Sequence, residues 1–174
     1  MHIFISGCQG VGKTTLVNKI SVDAPLAKFT DVDMIPDKSI SFQAQLKRLT
    51  IYREVLESLP THMNTLIDRS PFDFLVYIEK NPFTDDEQYL LMENWDNLMT
   101  YFNKNPDNIV IVLDDSFNAV WQRILKRGRV GRAEMEEKYT LSIWEGFKDL
   151  YNKYTIHKHV NEAEAYIREL LSIK

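Results

Sequence analysis

The segment Gly7-Cys8-Gln9-Gly10-Val11-Gly12-Lys13-Thr14 has the residue types and spacing for one kind of chemistry, the handling of a polyphosphate. It fits G-x-x-x-x-G-K-[ST], follows the short apolar run Ile3-Phe4-Ile5 and precedes the helix-like Thr15-Leu16-Val17-Asn18-Lys19-Ile20. A glycine-rich turn between a strand and a helix lets backbone N–H groups converge on phosphate oxygens at the positive end of the helix. Lys13 can then reach the β and γ phosphates, and Thr14 can ligate Mg²⁺. Gly7, Gly10, Val11, Gly12, Lys13, Thr14 and Thr15 are therefore the candidate nucleotide-binding residues, with ATP and Mg²⁺ as the expected cofactors.

Two further groups could serve the same chemistry. Asp68-Arg69-Ser70 ends the strand-like run Asn64 to Asp68, and open α/β sheets bind ligands at the carboxyl ends of their strands. Asp68 can hold Mg²⁺ directly or through water, and Arg69 can clamp a phosphate or the nucleophile. Ser70 is accounted for as a helix N-cap. The second group is the basic run Arg123-Ile-Leu-Lys126-Arg127-Gly128-Arg129, followed by Gly131-Arg132. Its glycines permit hinge movement, and transfer of a phosphoryl group rewards cations that arrive as water leaves. A solvated helix end whose cations complement the helix dipole is the competing explanation.

Alternating strand and helix patterns position these groups, and they imply a parallel sheet with helices on both faces. Strands are expected at 2–6, 28–34, 64–68 and 108–114, with a weak edge strand before the terminal helix. Asn108 to Asp114, continuous and β-branched, is expected at the centre of the sheet. A helix from about Ser39 to Leu59 carries Phe42, Leu46, Leu49, Arg53, Leu56 and Leu59 at 3 and 4 spacing, giving one buried stripe interrupted by Arg53, and Pro60 ends it. Beside that stripe Gln45, Arg48 and Tyr52 share a face. Helices follow over 72–80, 85–103, 116–127, 134–154 and 162–173. The expected fold is α/β, a P-loop NTPase of three layers (α/β/α) with a five-stranded parallel sheet and a short LID at about 128–133.

At 174 residues with 44% hydrophobic and 11% aromatic content, the chain suits one domain, 1–174, with a substantial core. A net charge of -4 gives no global field toward nucleic acid or anionic lipid. No apolar run approaches the roughly 20 residues of a membrane span, so no membrane partner is expected. With Cys8 as the only cysteine and an N-terminal apolar run too short for a signal peptide, the setting is expected to be reducing and cytoplasmic. The four histidines lack partners at metal-ligand spacing and receive no role. Cys8, among N–H donors beside a helix N-terminus and near Lys13, is expected to be a reactive thiolate that Mg-ATP shields.

The phosphate loop, Asp68-Arg69-Ser70 and the basic run, in this order over residues 7 to 132, resemble the deoxynucleoside kinase and thymidylate kinase group of P-loop kinases. The resemblance implies Mg²⁺ and phosphate roles for Asp68 and Arg69, and closure of Arg127 and Arg129 over ATP. It also implies a carboxylate just after strand two that accepts the proton of the acceptor hydroxyl. Here Asp31 and Asp33 stand in place of the group's usual Glu, shortening the reach by one C–C bond, roughly 1.5 Å. Both lie on one strand face, and Asp33, nearer the strand's end, is the choice.

Catalytic candidates are thus Lys13, Asp33, Asp68, Arg69, Arg127 and Arg129, with Thr14 and Asp68 as metal ligands. The activity they imply is an ATP-dependent kinase acting on a small nucleoside or nucleoside monophosphate. Polynucleotide or modified-base acceptors are the alternative, and a homodimer stays open. A different class is an ATPase switch, because Val110 to Asp115 also matches a Walker B strand, although the residues after Asp115 leave no room for the lid domain such motors add.

Overall fold

The fold is described from a computed structural model, which covers residues 1–23, 27–30, 40–153 and 157–172. Strands β1 (His2–Ser6), β2 (Ala27–Thr30), β3 (Thr65–Asp68), β4 (Asn108–Asp114) and β5 (His157–His159) form one parallel sheet in the order β2-β3-β1-β4-β5. The helices are α1 (Lys13–Asp23), α2 (Phe42–Ser58), α3 (Pro71–Lys80), α4 (Asp85–Phe102), α5 (Phe117–Arg127), α6 (Glu137–Lys153) and α7 (Val160–Leu170). A single 3₁₀ turn, Ala133–Met135, precedes α6. The expected α/β architecture and five parallel strands are both present.

The central strand is β1, whereas β4 lies between β1 and β5. The long apolar run of β4 marks an interior strand, but hydrophobicity does not order interior strands. Every residue of β1 is buried, and Phe4 meets Phe102 of α4 edge to face at 5.0 Å. Phe72 continues that cluster against Phe102 and Trp95, each such ring pair adding about 0.5–1.5 kcal/mol beyond its burial. On the other side α1 and α7 pack together, α1 against β1, β2 and β3 and α7 against β4 and β5.

Local signals set the helix ends. Ser41, Thr84 and Ser116 each accept a backbone N–H of the first helical turn, and Glu87 returns a bond to the Thr84 N–H. Leu59 is extended, as a residue before proline must be, and α2 stops there. Gly128, at φ +58°, closes α5 in the left-handed conformation that glycine adopts without strain.

The buried face of α2 differs from the apolar stripe read from spacing. Ala44, Gln45, Leu49, Tyr52 and Val55 are buried; Phe42, Leu46 and Leu56 are only partly so, and Arg53 lies outside beside Glu57 and Tyr101. Gln45 is buried at a cavity wall, whereas Tyr52 is buried in the core, edge to face with Phe74 at 5.1 Å, with its hydroxyl donating to the Arg69 carbonyl. Of the expected second strand, residues 27–30 are seen; Asp31 and Asp33 lie outside the described residues. Among the described residues no helix is long and apolar enough to cross a membrane.

Candidate active site

Register brings the chemistry together. Ile5 pairs with Asp68 on one side and Ile111 on the other, so the carboxyl ends of β1 and β3 lie level. The phosphate loop leaves β1 beside the turn that carries Asp68, Arg69 and Ser70. Both border one cavity of about 400 Å³. Its walls include Gly10, Gly12, Lys13, Thr14 and Thr15 from the loop and α1, Asp68 and Arg69 from the β3–α3 turn, and Arg127 and Arg129 from the basic run. Gln45 and Arg48 of α2, Phe74 and Tyr77 of α3, Arg132, Glu134 and Tyr139 complete the far side.

Two residues of the expected loop set are not brought to the wall. Val11 is fully buried and its N–H donates to the Cys8 carbonyl at 3.3 Å, while Gly7 offers its carbonyl to the Lys13 ammonium. The Lys13 ammonium also donates to the Cys8 carbonyl at 3.0 Å and is nearly buried. Gly10 is required by close approach, since a Cβ there would meet Ile124 at 2.9 Å. Arg123 reinforces the contact by donating to the Gly10 carbonyl at 3.3 Å and to Asp115 at 2.6 Å. Burial alone would raise the Asp115 pKa, but Arg123, the Ser116 N–H and His159 outweigh it and hold the carboxyl below its ordinary value. Arg123 therefore anchors α5 to the loop, and α5 in turn carries Arg127.

Asp68 is buried, and one of its oxygens accepts the Thr14 hydroxyl. Its other oxygen, Oδ1, has no hydrogen-bond partner among the described residues. A buried carboxylate oxygen beside a threonine hydroxyl, facing a phosphate loop, is the donor set Mg²⁺ takes when it is held by one or two carboxylates plus substrate phosphates. No group of three or more His, Cys, Asp or Glu side chains converges among the described residues, so most of the remaining ligands would come from phosphate and water. The rival carboxylate, Asp114, is committed to Lys148 at 2.7 Å, and that lysine lies over Trp144. Asp114 does not border the cavity.

Among the described residues of the wall, Lys13, Arg48, Arg69, Arg127, Arg129 and Arg132 outnumber Asp68 and Glu134. Arg129 stands 3.6 Å from the Glu134 carboxylate, and Gly128 and Gly131 flank it with positive φ. Tyr77 donates to the Gln9 side chain at 2.5 Å, packs edge to face on Phe147 and has its hydroxyl pKa pushed up by burial. Gln9, Glu134 and Tyr139 went unread in the sequence because nothing local distinguishes them. Asp73 did leave a signal, the Ser70-x-x-Asp73 capping spacing, and the structure shows it fully buried behind the loop.

Cys8 corrects an expectation. It is 1% exposed, and burial pushes its thiol up to about 12 against the opposing pull of Lys13. Its side chain points into the core rather than along the N–H donors, so it stays protonated and out of reach. The folded protein is therefore expected to resist thiol reagents equally with and without Mg-ATP, with labelling appearing only as it unfolds; intact-mass measurement checks this.

Solved structures share the architecture. Deoxyadenosine kinase from M. mycoides with bound dATP superposes with a TM-score of 0.72 at 20% identity, covering 99% of this chain and 100% of that one. The same enzyme with bound dCTP gives 0.72 at 22% identity over 99% and 100%. Shikimate kinase from Bacteroides thetaiotaomicron gives 0.62 at 14% identity over 99% of each chain. No curated protein matches the sequence. Residues 3–168 match the family model for deoxynucleoside kinase, and with the phosphate loop, the Asp68-Arg69 turn and the basic run meeting in one cavity, this chain belongs to the deoxynucleoside kinase family.

Proposed function

We propose that the cavity moves the γ-phosphoryl group of Mg-ATP onto a sugar hydroxyl of a deoxynucleoside, within the ATP-dependent nucleoside phosphorylation of the family. The observation that carries this reading is the meeting of Lys13, Asp68 beside Thr14, Arg127 and Arg129 around one space that also reaches Gln45 of α2. Lys13 and Thr14 hold the donor phosphates together with N–H groups of the loop. Thr14 and Asp68 would hold Mg²⁺, which supplies charge stabilisation on the transferring group. Arg69, on the same wall as Asp68, would clamp the phosphoryl oxygens. Gln45 and Arg48 are placed to hydrogen-bond a base, and Phe74 and Tyr77 to pack against it. Asp33 is proposed as the base for the hydroxyl proton. That dATP and dCTP are bound in the M. mycoides enzyme supports a nucleoside triphosphate as a ligand of this cavity.

A second reading, the ATPase switch, requires a Walker B carboxylate at the phosphates, and Asp114 is held by Lys148 instead. The acceptor is tested by initial rates with ATP and a panel of deoxynucleosides, their monophosphates and short oligonucleotides. Deoxynucleosides are expected to give the highest kcat/KM, and a preference for oligonucleotides would contradict the reading.

The LID roles carry their own expectation. Arg127→Ala and Arg129→Ala should each lower kcat by about 10²-fold or more, the scale seen when a donor to developing charge is removed. Stability should change little, since both residues are exposed at a glycine-flanked loop. Steady-state rates beside thermal melts check both halves, and wild-type kcat in both variants would return the basic run to a solvated helix end.

A further inference from the structure

We propose that Asp73 is a positioning residue that holds Arg69 in its working conformation and rivets it to the phosphate loop; the proposal rests on the part in transfer assigned above to Arg69. Arg69 has φ of +88°, in the left-handed region that a side chain with a Cβ disfavours. Such a backbone persists only where its surroundings over-determine it. Here the Arg69 N–H donates to the Ile5 carbonyl at 2.9 Å, and its own carbonyl accepts the Tyr52 hydroxyl at 2.7 Å. The next residue is fixed by Asp73, whose Oδ1 accepts the Ser70 N–H at 3.2 Å and the Ser70 hydroxyl at 2.9 Å.

A helix cap would account for those last two bonds alone. It does not account for a third, in which the same Oδ1 accepts the Ser6 hydroxyl at 2.5 Å. Ser6 ends β1 and adjoins Gly7, so one carboxylate oxygen joins the turn carrying Arg69 to the strand that enters the phosphate loop. Nor does a cap require full burial, since the capping carboxylate of α4, Glu87, makes its bonds at an exposed end. Asp73 is fully buried, and its Oδ2 has no hydrogen-bond partner among the described residues.

Burial pushes the Asp73 carboxyl upward in pKa, and the charges of Lys13 and Arg69, with the Ser6 and Ser70 hydrogen bonds, oppose it. The two cations that offset this buried carboxylate are the ones that face the transferred phosphoryl group. Loss of the rivet would let the strained peptide at Arg69 relax and carry the guanidinium away from its aim, and displacements on the order of 1 Å can lower a rate about 10²-fold.

The test is a double-mutant comparison. Asp73→Asn keeps size but puts an amide with one accepting oxygen in place of the carboxyl group; Ser6→Ala cuts the tie to β1 and leaves the helix cap whole. Each is expected to lower kcat at least about tenfold with KM for ATP within about threefold of wild type. Neither is expected to lower it further in an Arg69→Ala protein, because the group they position is gone. Equal losses with and without Arg69, or wild-type kcat in both single variants, would overturn the proposal. If Asp73→Asn does not fold, the Ser6→Ala comparison decides alone by the same criteria. An Arg69→Ala protein with wild-type kcat removes the assigned role of Arg69 itself and the rivet with it.

Discussion

Replacing Lys13 by alanine is expected to lower kcat on the order of 10³-fold, the largest effect of any single substitution in this protein. Phosphoryl transfer offers little covalent chemistry to the enzyme, so catalysis is positioning and charge stabilisation, and Lys13 is the cation of the phosphate loop itself. Its ammonium donates to the Gly7 and Cys8 carbonyls. Alanine therefore leaves buried carbonyls short of a donor and removes a charge that offsets Asp73, for a stability loss of about 1–3 kcal/mol. Nucleotide linkage separates the two effects. At 100 times its Kd, Mg-ATP should stabilise the wild type by about 2.7 kcal/mol and the variant by much less. A folded Lys13→Ala protein with unchanged turnover would contradict the site.

The second large effect is a ranking. Asp68→Asn should lower kcat by about 10²-fold or more, because it removes charge from the buried carboxylate that faces Thr14. Part of that loss should return as Mg²⁺ is raised, since a weakened ion site fills by mass action. Asp114→Asn should leave kcat within about threefold. It breaks a partly exposed pair with Lys148, and such pairs contribute about 0.2–1 kcal/mol. Magnesium titrations of both variants read the order directly, and the reverse order would favour a Walker B ATPase.

What the sequence made legible was local. The strand–glycine turn–helix of residues 2–23, the Ser70 cap of α3 and the glycine break after α5 all depend on neighbours a few residues away, and each element forms where that chemistry places it. The cavity residues Lys13, Thr14, Asp68, Arg69, Arg127 and Arg129 were legible for the same reason, as each belongs to a short motif. What failed required knowledge of distant packing. Cys8 has electropositive neighbours in sequence, but its burial in the core decides its exposure. The face of α2 was misjudged because Gln45 lines the cavity and Tyr52 packs on Phe74 with its hydroxyl on the Arg69 carbonyl, partners that hydrophobic spacing cannot register. Asp73 went unread, and its bond to Ser6 spans a sequence separation of 67 residues.

The positive φ of Arg69 illustrates how far motif reading reaches. Sequence places an arginine after the strand; only the fold shows that its backbone is strained and held on both sides. Strain of this kind concentrates where geometry must be fixed for function.

The central claim is that the γ-phosphoryl group leaves ATP for a nucleoside hydroxyl and not for water. A single-turnover reaction with γ-labelled ATP, excess enzyme and a deoxynucleoside acceptor reads its fate directly. The label is expected to appear in the nucleoside monophosphate, with inorganic phosphate a minor product and the yield of labelled nucleotide collapsing in Lys13→Ala. Quantitative release of labelled inorganic phosphate at a rate indifferent to the acceptor would contradict the account.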